Sequence, residues 1–138
     1  MGNCPSCNKI NFEDMQDIIH NKDAIIINTL PINRQSCLLQ GTKNASNEES
    51  LLNSSLHENP NVLIVVYGEN CCDNRVHEKC QQLINLGFSN VFVYLGGLFE
   101  WLLLQDIYGI EQFPTTSSEI DLLKFKGKKI FGVKLLED

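Results

Sequence analysis

Four side chains able to do chemistry fall within one short stretch: Cys71, Cys72, Arg75 and His77. A cysteine attacks as its thiolate, an arginine holds an anion with a planar fork of donors, and a histidine polarises a neighbouring thiol. This set points to thiol chemistry on an anionic or sulfur-bearing group, with Cys71 or Cys72 as nucleophile and Arg75 as anion partner. Each also has a plainer reading. Adjacent cysteines in a loop are commonly just exposed thiols, and a histidine one turn into a helix is commonly a surface residue. Glu69 and Asp73 oppose anion capture, because two carboxylates offset the roughly half-unit positive charge of a helix N-terminus.

The elements around these residues define where they stand. Val62 to Tyr67 is a short apolar run rich in β-branched residues, bounded by Asn61 and Gly68, which suits a strand buried on both faces. Val91 to Leu95 is a second such run. Between them Val76, Cys80, Leu83 and Ile84 recur at helical spacing, and Gly87 follows where a helix ends with positive φ. Strand, helix and strand in this order lie parallel in one sheet. The loop Gly68, Glu69, Asn70, Cys71, Cys72, Asp73, Asn74 and the following Arg75 then join a strand's carboxyl end to a helix's amino end, where free N–H groups favour an anion.

The order of Val65-Val66-Tyr67, loop, Arg75, helix, Leu86-Gly87-Phe88, Asn90-Val91 and Gly96-Gly97-Leu98-Phe99-Glu100-Trp101 resembles a rhodanese domain of the sulfurtransferase superfamily. The resemblance extends more weakly over about residues 10–108. It implies a three-layer α/β sandwich with a central, mostly parallel five-stranded sheet flanked by helices. It also implies, in active members, a persulfide-forming cysteine directly after the tyrosine that ends the strand. Here that position is Gly68, Cys71 and Cys72 come later, and the loop is longer than in the active members. Two other landmarks differ: Asp-x-Arg reads Asn28-Thr29-Leu30, and Gly-His-Ile-x-Gly reads Cys37-Leu38-Leu39-Gln40-Gly41. The cell-cycle dual-specificity phosphatases share this scaffold, but Glu69 stands where they place their cysteine. The resemblance therefore favours a divergent, non-catalytic member serving as a protein-binding or regulatory module; the alternative is a thiosulfate or persulfide sulfurtransferase using Cys71 or Cys72 with Arg75.

Composition narrows the setting. The chain has 138 residues, a net charge of −6 and pI near 5, so it reads as one domain with no basic surface for nucleic acid. Its one basic run, Lys124, Lys126, Lys128 and Lys129, reads as a solvated face. No apolar segment reaches the roughly eighteen residues that span a bilayer, and no charged stretch followed by an apolar core opens the chain. Its six cysteines then read as reduced cytosolic thiols.

The tail, residues 1–9, keeps several readings open. Gly2 with Ser6 fits an N-myristoylation pattern and Cys4 a palmitoylation site, together a two-signal membrane anchor. Cys4-Pro-Ser-Cys7 could instead be half of a zinc knuckle with scattered partners among Cys37, Cys71, Cys72, His77 and Cys80, a redox pair, or an inert tail. The sequence calls for no resident metal or cofactor. A protein partner is expected, unspecified, and the oligomeric state is not encoded in any motif.

The remaining expectations are local. Asn11 should cap a helix bearing Phe12, Met15, Ile18 and Ile19, and Ala24 to Ile27 should be a strand. Leu38-Leu39 reads as a brief strand, Thr42 to Ser50 as mobile, and Ser46-x-x-Glu49 as a capping box before Leu51, Leu52 and Leu56. Residues 10–112 make the rhodanese-like unit, in which Leu98 to Ile107 is a helix apolar nearly all round, capped by Gly109. Residues 113–138 form an extension packing on it. There Thr116-x-x-Glu119 should cap a short helix through Ile120, Leu123 and Phe125, and Lys129 to Leu135 should form an edge strand.

Overall fold

In the computed structural model, residues 7–21 and 23–131 are described. Gly2 and Cys4 lie outside these residues, as does Gly132 to Leu135 of the expected edge strand.

The chain runs β1 (Asn8–Ile10), α1 (Phe12–Asn21), β2 (Ala24–Asn28), α2 (Ala45–Glu58), β3 (Leu63–Tyr67), α3 (Arg75–Leu86), β4 (Val91–Tyr94) and α4 (Gly97–Tyr108). The strands form one parallel sheet in the order β1-β4-β3-β2, with Asn28, Tyr67 and Tyr94 level at its carboxyl edge. Alternation along the strands divides the core in two. Ile25, Ile27, Ile64, Val66, Val91 and Val93 pack under α2 and α3, against Leu52, Val76, Cys80 and Leu83. Ile26, Val65 and Tyr67 face α1 and α4, against Met15, Ile19, Leu98, Trp101 and Leu102. The helices thus flank a parallel sheet on both faces.

Among the described residues the sheet has four strands, not five. Lys43 N–H donates to Ile26 O, so a fifth strand starts beside β2, as an isolated bridge between Ile26 and Thr42. It cannot extend. Leu39 O accepts from both the N–H and hydroxyl of Thr42, closing a turn, while Asn44 Oδ1 accepts from Ser46 N–H and opens α2. The cap is therefore Asn44, not Ser46, and the stretch expected to be mobile is helical from Ala45. The buried Tyr67 hydroxyl holds this turn from below, bonded to Leu39 N–H and Thr42 Oγ1. Leu38-Leu39 makes an isolated antiparallel bridge instead of a strand.

That bridge also explains the C-terminal extension. Thr116 N–H donates to Leu38 O, and Thr116 Oγ1 accepts from Leu38 N–H, so the threonine pairs with another segment and caps nothing. In place of the expected helix there is a 3-10 turn at Leu122–Phe125, which buries Phe125. Lys129 to Phe131 form no strand.

Two expectations about the amino end change as well. Asn8 and Lys9, expected as tail, pair with Phe92 and Val93 as the edge strand β1. Cys7, expected in the tail, stands against Cys80 on α3 with Cα atoms 6.5 Å apart, a separation that a disulfide spans. α1 is as expected: Asn11 Oδ1 accepts from Asp14 N–H and Asp14 Oδ2 from Asn11 N–H.

Candidate functional site

The loop between β3 and α3 is built on the amino end of α4. Gly97 begins that helix with φ of 73°, and a Cβ there would stand 2.7 Å from Gly68 O and 2.9 Å from Asn70 N. This close approach lets Gly68 O and Glu69 O accept from the N–H groups of Leu98 and Phe99, at 2.9 and 2.8 Å. Two otherwise free helix donors are satisfied by the loop, and the loop is fixed in return.

The centre of the loop is filled by Asp73. Its Oδ2 accepts from Glu69 N–H at 3.2 Å, from the Thr29 hydroxyl at 3.1 Å and from Arg75 Nη2 at 3.1 Å. Its Oδ1 accepts from Arg75 N–H at 3.1 Å and Arg75 Nε at 2.9 Å. The carboxylate is 5% exposed. Burial pushes its carboxyl up, but the Arg75 guanidinium, the Glu69 and Arg75 N–H groups and the Thr29 hydroxyl outweigh burial and hold it below the usual carboxylate range. Arg75 is shifted further up in return, chiefly by its hydrogen bond to Asp73.

Asp73 also lies over Gly68. A Cβ on Gly68 would stand 2.3 Å from Asp73 Oδ2, 2.9 Å from its Cγ and 2.6 Å from Val76 Cγ2. The space for a side chain at this position, and the N–H group and cation that would hold a bound anion, are taken by one internal carboxylate.

Cys71 and Cys72 stand outside this cradle, exposed, with their sulfurs 4.0 Å apart. The Cys71 thiol is shifted up, mainly by its hydrogen bond with Cys72 and then by partial burial, which is opposite to the shift an activated nucleophile needs. Cys71 lines a cleft with Lys9, Ile10, Asn11, Leu95 and Glu100. Cys72 lines a different one, about 470 Å³, with Asn74, Arg75, Lys126, Gly127 and Lys128. His77 lines neither. The structure joins Arg75 to Asp73 and not to either thiol.

Sequence reasoning missed three participants, Thr29, Arg34 and Glu100, and the tie that Asn70 makes to the extension. Thr29 reaches Asp73 from the end of β2, and Arg34 pairs with Glu69 at 3.1 Å while stacking over Phe125 at 5.3 Å. Asn70 donates to Phe125 O at 2.9 Å and accepts from Cys72 N–H at 2.8 Å, tying the loop to the C-terminal extension. Glu100 accepts from the Tyr94 hydroxyl at 2.5 Å. Only Thr29 carried a signal, as part of the altered Asp-x-Arg landmark. A cavity of about 670 Å³ between Ile18, Ile26, Lys43 and Pro114 touches none of the loop.

No protein-family model and no curated protein matches the sequence. Solved structures do match. A protein from Anabaena sp. superposes with TM-score 0.56 at 18% identity, over 83% of this chain and 97% of that one. The polysulfide-sulfur transferase homodimer from Wolinella succinogenes matches with TM-score 0.56 at 18% identity, over 83% and 82%. Thiosulfate sulfurtransferase from Pseudomonas aeruginosa matches with TM-score 0.56 at 20% identity, over 70% of this chain and 19% of that longer chain. The fold is that of a rhodanese-like domain, shared with sulfurtransferases. It does not by itself carry their chemistry across.

Proposed function

We propose that this rhodanese-like domain binds a protein partner and does not transfer sulfur from thiosulfate. The observation that carries this reading is the Asp73 carboxylate seated over Gly68. A persulfide or an incoming thiosulfate would have to displace an anion already held by two N–H groups, a hydroxyl and a guanidinium, and charge-assisted bonds of this kind are the strong ones. The two cysteines available nearby lie outside that field, and Cys71 is shifted away from the thiolate.

The binding surface lies at the far end of α4. Leu98, Trp101 and Leu102 are buried, whereas Ile107, Tyr108 and Ile110 are exposed where the helix ends, as are Ile120 and Leu123 on the extension. Gly2 and Cys4 add a second element to the proposal: acylation there would tether the module to a membrane. Among the described residues no helix is long and apolar enough to cross one.

The reading is tested by thiosulfate-to-cyanide turnover. Background turnover, unchanged by Cys71→Ser with Cys72→Ser, is the expected result; robust turnover lost in that double variant assigns a sulfurtransferase using the displaced cysteines instead. Intact mass after expression with an N-myristoyltransferase tests the anchor, and a free Gly2 removes it.

A further inference from the structure

Two adjacent cysteines, both exposed and in sulfur contact, can combine in three ways: as independent thiols, as a vicinal disulfide, or as a chelate. The geometry separates these. Sulfurs 4.0 Å apart are about twice the roughly 2.05 Å of a disulfide bond. Neighbouring Cα atoms, about 3.8 Å apart across a trans peptide, are also closer than the roughly 4.4–6.8 Å that disulfides accept. A soft ion with metal–sulfur bonds of about 2.3 Å and tetrahedral angles, by contrast, places its two sulfurs about 3.8 Å apart. The observed spacing is near that value and far from the other.

We propose that Cys71 and Cys72 form a bidentate thiolate site for a soft, thiophilic ion, bound at the surface with its remaining positions open. Loop anatomy supports this. Cys72 N–H is held by Asn70 Oδ1, whose amide is held in turn by Phe125 O, so the sulfur-bearing turn is fixed before any ion arrives. Cys71 shares its cleft with Glu100, whose charge favours a cation beside it, and with Lys9, whose charge opposes one. Asp73 and Glu69 are committed to Arg75 and Arg34 and do not compete. No group of three or more candidate ligands occurs among the described residues, so the site suits an ion satisfied by two thiolates, or one whose other ligands come from a partner.

Phenylarsine oxide is the probe, because its trivalent arsenic needs only two thiols. Two S–H bonds and the As=O bond break, two As–S bonds form, one water leaves, and the arsenic stays trivalent, so no oxidant or reductant enters. The full-length protein should take up one equivalent at this site, with Cys71 and Cys72 in the modified peptide. The adduct should resist a monothiol and reverse with a dithiol. Cys71→Ser and Cys72→Ser should each abolish it, whereas Cys80→Ser, which alters the other sulfur pair, should leave it intact. An adduct at this peptide that survives either single substitution at position 71 or 72, or no adduct there in the native protein, overturns the proposal. The readout involves no sulfur donor, so it stands or falls separately from the sulfur-transfer reading.

Discussion

Asp73 and Arg75 are two residues apart, and the arginine closes on the carboxylate with both its Nε and Nη2, at 2.9 and 3.1 Å. An arginine that opens a helix beside a phosphate- or sulfur-binding loop is commonly available to a ligand; this one is occupied by its own chain. The pairing turns a loop able to take an anion into one that supplies it.

The first consequence is a pH dependence. The Asp73 carboxyl is held below its unfolded value, near 3.9. A group depressed on folding contributes stability above the unfolded pKa and loses it as pH falls through the folded one. Asp73→Asn, which retains size and loses the charge, should cost about 1–3 kcal/mol at neutral pH. Urea denaturation should show the gap between the two proteins shrinking as pH is lowered below about 4.

Gly97 and Gly109 both have positive φ, at 73° and 103°, but differ in surroundings. A Cβ at Gly109 meets nothing within 4 Å, whereas at Gly97 it meets the loop backbone. Gly109→Ala should therefore cost only the conformational strain of a backbone region essentially confined to glycine, about 1–3 kcal/mol. Gly97→Ala should cost clearly more and should also disturb the loop. Thermal midpoints of the two variants, with amide exchange at Leu98 and Phe99, check this; equal losses would mean that the Gly97 contact is not tight.

Trp101 is fully buried, donates from Nε1 to Pro114 O at 3.1 Å, and packs edge-on to Tyr94 and Phe113 at 5.9 and 5.0 Å. It joins α4 to the start of the extension. Trp101→Ala should lose about 3–5 kcal/mol in urea denaturation, and Trp101→Phe a smaller amount, set by the unpaired Pro114 carbonyl and the lost volume.

Much of this architecture is legible in the chain. Val62 to Tyr67, the helical spacing of Val76, Cys80 and Leu83, Gly87 and the strand from Val91 specify the parallel unit, because each is decided by neighbours a few residues away. The site was only half legible for the opposite reason. Asp73 reads as a carboxylate that repels an anion, yet Thr29, 44 residues before it, helps make it the bound anion. The Cys7–Cys80 pair spans 73 residues, and Thr116 is claimed by Leu38 rather than by the helix it was expected to cap. Such partners come from the packing of layers, which no local spacing announces.

If Asp73 closes the cradle, it should also be what stands in the way of reopening it. Gly68→Cys alone places a side chain against the carboxylate, should destabilise the protein, and should gain no sulfur from thiosulfate. In the Asp73→Gly background the same cysteine loses the clash with the carboxylate, needs only the Val76 side chain to shift, and faces the freed Glu69 N–H and Arg75. That double variant should form a persulfide, visible as a reducible mass increment.

The central claim is tested most directly on the native protein by intact mass after incubation with thiosulfate, with and without dithiothreitol. Asp73 seated over Gly68 predicts a mass unchanged by either treatment at the loop peptide. A dithiothreitol-reducible increment of one sulfur, lost on substituting Cys71 or Cys72, would contradict it and make the loop a working sulfur carrier.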